Sequence, residues 1–148
     1  LLGESNVARW RAAAIERIPE LREVIASAEN IFALWIDLSM GFARAYQRKS
    51  YDKALVAKIY SFADWCIQAP RGCLAERDPL TAVTVCFYED IPTIPAARQD
   101  MPRWFTYEEV AENRAVFSYL IGDAEYDKLV QYMTANRRRY EPRDRPAT

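Results

Sequence analysis

The chain has 148 residues, with 20 Lys and Arg against 21 Asp and Glu, and it contains no histidine. That length suits one domain with a core of its own, and a net charge of -1 supplies no long-range field toward nucleic acid or an anionic membrane. Lacking histidine, the sequence excludes the commonest metal ligand, the usual general base and any Ser–His or Cys–His nucleophile pair.

Four glycines in the whole chain and repeated helix-start signals predict an all-α protein. Asn6 caps a first helix whose apolar positions Val7, Trp10, Ala14 and Ile18 recur at helical spacing. Pro19 sits in the first turn of a second helix, from Glu20 to about Ala28. Asn30 marks either a break or only a polar position. Beyond it Ile31, Leu34, Trp35, Leu38, Phe42, Ala45 and Tyr46 form a clean stripe ending near Lys49, with Gly41 inside it to permit close helix approach.

Ser50 or Asp52 caps the next helix, which runs to about Gln68, and Pro70-Arg71-Gly72 turns the chain. Asp78-Pro79 is a cap followed by proline at the first helical position. The segment it opens, Val83 to Tyr88, is β-branched and aromatic enough for a strand. No second strand exists to satisfy its backbone, so a helix to Asp90 is the better reading. Pro92, Pro95 and Pro102 predict a loop with at most one short helical turn. Thr106-Tyr-Glu-Glu109 is a capping box for a helix through about Leu120. Gly122 stops that helix, and Asp123 caps the last one, to about Arg139. The tail, 140–148, carries Pro142 and Pro146 and reads as a mobile or loosely docked extension.

Cys66, Cys73 and Cys86 are odd in number and lack Cys-x-x-Cys spacing, which speaks against structural zinc. Cys66 and Cys86 fall in apolar helical patterns and read as reduced core thiols of a reducing, cytoplasmic compartment. A Cys66–Cys73 or Cys73–Cys86 bridge is the alternative. No apolar run approaches the roughly 20 residues that span a bilayer. The chain opens on Leu1, so a targeting segment removed ahead of it stays an open alternative.

Three motifs then stand out in order: Phe62-Ala-Asp-Trp-Cys66, Thr81-Ala-Val through Phe87-Tyr-Glu-Asp90, and Arg98-Gln-Asp-Met-Pro-Arg-Trp104. Together they resemble an uncharacterised bacterial family of small helical domains, over roughly Pro19 to Arg139. The resemblance implies a helical fold, including a helix over Thr81–Asp90. It implies no activity, cofactor or partner.

On a helical wheel of about 100° per residue, Leu55, Val56, Ile59, Phe62, Ala63 and Cys66 share a face. Trp65 lies about 120° from its centre, near Lys58. Trp65 either packs against a further element of a helix buried on two sides or anchors a partner. In the next helix Leu80, Val83, Cys86 and Phe87 share a face while Val85 and Tyr88 lie opposite, the pattern of a central helix. Glu89 points off that face near the C-terminal end, where a carboxylate opposes the helix dipole and needs a cation. Arg98 and Arg103 are the candidates. Glu89 is then half of a structural pair pinning the proline loop, or an acid in a pocket roofed by Tyr88 and Trp104.

Asp37, Asp64, Glu89 and Asp90 show no metal-ligand spacing and read as solvated or ion-paired acids. Arg137-Arg-Arg139, Arg143 and Arg145 form the one basic cluster, first explained as cations complementing a helix C-terminus. A nucleic-acid contact would require Lys49, Lys53 and Lys58 to fold nearby.

The fold expected is a single domain over 1–139, an irregular bundle of five to seven helices with the helices from Ser50 and from Asp78 central. The function expected is that of a small non-enzymatic interaction module that regulates or neutralises a partner protein through Trp65, Tyr88 and Trp104. No cofactor, metal, nucleic acid or membrane partner is expected. The competing class is a small-molecule-binding domain or enzyme using a Glu89/Arg103 pocket.

Overall fold

A computed structural model describes the backbone of residues 2–137 and the side chains of residues 9–137. The tail over 140–148 and the arginines from Arg138 onward lie outside the described residues. Every regular element among those residues is helical. Nine α-helices take the place of the five to seven expected, because the chain breaks at residues whose side chains capture their own backbone. By proximity of the backbone the chain divides into two compact units, one ending at Phe87 and one starting at Tyr88.

In the first unit, α1 (Leu2–Arg17) already includes Asn6, which therefore does not cap it. Pro19 opens a 3-10 turn, Pro19–Leu21, that leads into α2 (Arg22–Ser27). Asn30 is a cap: its side-chain oxygen accepts the Ala33 N–H at 2.7 Å and starts α3 (Ile31–Gln47). The expected stripe of α3 is buried at Ile31, Leu34, Trp35, Leu38, Phe42 and Ala45, each larger side chain stabilising by about 1.5–3 kcal/mol. Gly41 does not serve close approach, since a Cβ there would meet nothing within 4 Å. Asp52, not Ser50, caps α4 (Lys53–Gln68) by accepting the Leu55 N–H at 3.1 Å. α4 packs on α1, α3 and the later α5, the central place expected of it.

A column of rings fills this unit. Trp65 stacks on Phe62 at 5.8 Å, Phe62 on Trp35 at 5.3 Å, and Trp35 on Phe87 at 5.0 Å. Phe42 and Tyr60 meet Phe87 edge-on. Such pairs add about 0.5–1.5 kcal/mol each beyond the area they bury.

After α4 the chain turns through Gly72 and a 3-10 turn, Ala75–Arg77, to Asp78. The Asp78 carboxylate is only 3% exposed. It accepts from Arg71 Nε at 2.9 Å, the Gly72 N–H at 3.0 Å, the Thr81 N–H at 3.3 Å and the Thr81 hydroxyl at 2.6 Å. Burial pushes its carboxyl up, but these bonds, led by that from Arg71, outweigh burial and hold it at about 2. Pro79 stands at the first position of α5 (Pro79–Val83), as expected. The helix expected as far as Asp90 instead widens to a π turn over Thr84–Tyr88. The Cys86 carbonyl accepts the Ser39 hydroxyl of α3, and that cross-helix bond accompanies the departure from the regular ladder.

The second unit starts inside that π turn. A 3-10 turn, Ile91–Thr93, precedes α6 (Pro95–Trp104), so the proline-rich stretch is not a loop. Pro95 occupies the first turn of α6, where a missing N–H costs nothing. Pro102 falls near its end and is buried with Ala97, Met101 and Trp104. The capping box forms: Thr106 Oγ1 accepts the Glu109 N–H at 3.0 Å, and Glu109 accepts the Thr106 N–H at 3.1 Å. Its helix, α7 (Tyr107–Ala111), is short, however. The Asn113 amide donates to the Glu109 carbonyl at 2.6 Å and competes with the ladder, so α8 (Arg114–Phe117) follows as a separate turn. Gly122 has φ 82° and closes that turn through a 2.7 Å bond from its N–H to the Ser118 carbonyl, a conformation that favours glycine. It also begins α9 (Gly122–Asn136). Asp123 does not cap α9; its carboxylate pairs with Arg114 at 3.1 Å. α9 packs on α6 and α7.

Candidate functional site

The five expected site residues divide between the units. Trp65, in the first, is half-buried at the outer end of the ring column, stacked within 12° of parallel on Phe62. Packing within the unit therefore accounts for much of its surface. The next residue, Cys66, is fully buried and accepts the Trp35 indole N–H at 3.4 Å. Burial drives its thiol far above the ordinary range despite that bond, so it is no nucleophile. Cys66, Cys73 and Cys86 are all free thiols, with Cys73 exposed, and neither possible bridge forms.

The other four lie in the second unit. Tyr88 is 7% exposed and meets Phe105 at 5.8 Å and Phe117 at 6.4 Å, both edge-on. Trp104 has no exposed surface, and its indole N–H donates to Asp100 at 3.1 Å. The other oxygen of Asp100 lies 3.3 Å from Arg103 Nε. Positions three and four apart on one helix face each other, so Asp100 gathers Arg103 and Trp104 on α6. Sequence reasoning passed over Asp100, although its spacing to both residues was the available signal.

Glu89 stands apart from this group. Among the described residues its carboxylate forms no hydrogen bond or ion pair. Arg98 binds Glu125 instead, with 3.0 Å to the carboxylate and 3.1 Å to the carbonyl, and Arg103 binds Asp100. The expected Glu89–arginine pair is thus not what the two arginines do: each meets an acid nearer on its own or a facing helix. Burial, and then the neighbouring Asp90, raise the Glu89 carboxyl above its ordinary range. Burial alone raises Asp90. The pair can hold a proton at a higher pH than ordinary carboxylates. Among the described residues no group of three or more Cys, Asp and Glu could hold a metal ion. Arg137, the one described member of the basic cluster, binds Glu108 at 2.6 Å and lies 5.2 Å over the Tyr107 ring.

Two exposed apolar features escaped the sequence reading. In the second unit the turn between α8 and α9 presents Tyr119 at 70% exposure and Leu120 at 50%. Assigning one helix through Leu120 hid it, though Asn113 and Gly122 were the signals of a turn there. In the first unit Ile36 and Met40 of α3 are 48% and 50% exposed, on the helix face away from the stripe that drew attention.

No described helix is long and apolar enough to cross a membrane. Comparison of the chain with protein-family models, with curated proteins and with solved structures finds no match.

Proposed function

We propose that this chain is a non-enzymatic protein-interaction module that regulates or neutralises a partner protein, and that the partner docks on the Tyr119–Leu120 turn. The observation that carries the reading is that turn: two large apolar side chains held in solvent by a backbone bond from Gly122 to Ser118. Tyrosine is among the residues that dominate interface energies, and a turn fixed in advance loses little entropy on binding. Tyr88 and Trp104 give up the partner-contact role expected of them, because buried rings offer a partner no surface. Trp65 keeps a reduced one. Free thiols at all three cysteines support action in a reducing compartment such as the cytoplasm. The likeness to a bacterial helical family belongs to the same proposal and rests on its three motifs alone.

The test is affinity capture from source cells with the native chain and with Tyr119→Ser/Leu120→Ser, followed by rebinding of any enriched protein in purified form. We expect one stoichiometric partner whose affinity falls at least about tenfold in the double variant, while unfolding free energy changes by less than about 0.5 kcal/mol. Identical captured sets for the two chains would refute the docking surface.

A further inference from the structure

The outer face of α3 carries more than stray apolar residues. Ile36 and Met40 are four residues apart and half exposed, so they adjoin on one stripe. Asp37 and Arg44 are exposed on the same side, seven residues and about 10 Å of helix rise apart. That separation is too great for them to pair with each other. Among the described residues neither forms an ion pair or side-chain hydrogen bond. Gly41 adds open space, since nothing lies within 4 Å of where a Cβ would stand.

The arrangement has a centre. The midpoint between Asp37 and Arg44 falls between Met40 and Gly41. Rotating a second α3 by a half-turn about an axis through that point makes the two helices antiparallel. Asp37 of each then faces Arg44 of the other, and the two Met40 side chains, on the same side of the Asp37–Arg44 line, meet beside the axis. A two-fold interface must be self-complementary in just this sense, one patch serving both copies. Unlike charges on either side of an apolar centre also fix register and direction, because a parallel or shifted pairing sets like charges together or leaves them unmatched. Val85, 44% exposed, extends the apolar area. Its neighbour Cys86 accepts from Ser39 of α3 and donates to the Phe32 carbonyl at 4.0 Å, which places the π turn along the same helix.

We infer that α3 is a docking surface for a second copy of this chain, joined antiparallel through Met40 with two symmetric Asp37–Arg44 pairs. One helix pair buries less than a standard interface, so the dimer is weak and dependent on concentration. It uses other residues than the Tyr119–Leu120 turn, and either proposal can fail without the other.

Sedimentation equilibrium of the full chain, from micromolar to submillimolar concentration at low salt, tests it. The native chain should show a monomer–dimer equilibrium. Asp37→Arg and Arg44→Asp should each weaken association at least about tenfold, because like charges then meet across the axis. The double variant Asp37→Arg/Arg44→Asp should recover it. Both substitutions are at exposed positions, and unchanged circular dichroism will show that the fold is kept. A native chain that stays monomeric throughout, single variants that associate as tightly as the native chain, or a double variant that fails to recover would each overturn the inference.

Discussion

Asp78 and Glu89 stand at the two ends of one helical stretch and have opposite surroundings. Asp78 lies ahead of the first turn, where unpaired N–H groups point outward, and it accepts from that of Thr81, from the Thr81 hydroxyl, from Arg71 and from the Gly72 N–H of the preceding loop. Glu89 follows the last turn, where carbonyls point outward and, among the described residues, no donor comes to meet it. The consequence appears in their acidity: the Asp78 carboxyl is held at about 2, whereas that of Glu89 is pushed up. Burial penalises both charges. Arg71 first, then the Thr81 hydroxyl and the Gly72 N–H, compensate Asp78, and among the described residues no such set of donors surrounds Glu89.

The strongest way to break this contrast is to remove Asp78. Asp78→Ala strips the cap from α5 and leaves the Gly72 and Thr81 N–H groups without their acceptor, at an expected cost of about 2–4 kcal/mol in urea unfolding. Asp78→Asn keeps an acceptor but loses the charge, and should cost less. The native chain should also carry a signature in pH. Because the folded carboxyl lies below its unfolded value near 3.8, its contribution is complete above that value and is lost as pH falls from about 4 to about 2. It amounts to at most about 2 kcal/mol, since Arg71 is 66% exposed and solvent screens it. Urea midpoints measured across this range should fall steeply for the native chain and less for Asp78→Asn. Equal slopes would mean that the Arg71–Asp78 bond adds nothing.

A smaller effect is expected where the loop meets the cap. A Cβ at Gly72 would fall on the Arg77 carbonyl, a backbone atom that cannot step aside. Gly72→Ala should therefore cost about 1–3 kcal/mol and raise the Asp78 carboxyl toward its ordinary value by disturbing the Gly72 N–H. An unchanged midpoint in thermal unfolding would show that the loop relaxes freely around Asp78.

The cap was legible in the sequence and the rest of this stretch was not, for a physical reason. Caps at Asn30, Asp52, Asp78 and Thr106 are local: the acceptor and its N–H lie within three residues. The α3 stripe is local too. The π turn depends on Ser39, far away in the chain, bonding the Cys86 carbonyl, and no pattern around Thr84–Tyr88 encodes that. α6 was hidden by counting prolines without asking which position each would hold, for Pro95 opens the helix it was expected to prevent. A place off one apolar face of a helical wheel says that a side chain leaves that face, not that it reaches solvent, and Tyr88, opposite such a face, meets Phe105 and Phe117. For Glu89 the position near a helix C-terminus led to the expectation of a cation. Partner choice then depended on α6 and α9, where Asp100 and Glu125 engage the two arginines.

The least disruptive change sharpens the contrast from its other end. With a folded carboxyl raised above its unfolded value, Glu89 binds its proton more tightly in the folded chain, so folding is favoured as pH falls and disfavoured as pH rises through the raised value. Glu89→Gln removes a charge that no described residue pairs with, and should stabilise by about 0.3–1 kcal/mol at neutral pH. Asp90→Asn should act in the same direction, since burial raises its carboxyl as well. Near pH 4, close to the unfolded carboxylate range, the gain from Glu89→Gln should vanish, because the native side chain is then protonated too. The double variant Glu89→Gln/Asp90→Asn should reduce the loss of stability that the two raised carboxyls cause as pH rises to neutrality. If Glu89→Gln instead destabilises the chain at neutral pH, the carboxylate has a favourable interaction in solution, and the two ends of the stretch are less different than their bonds imply.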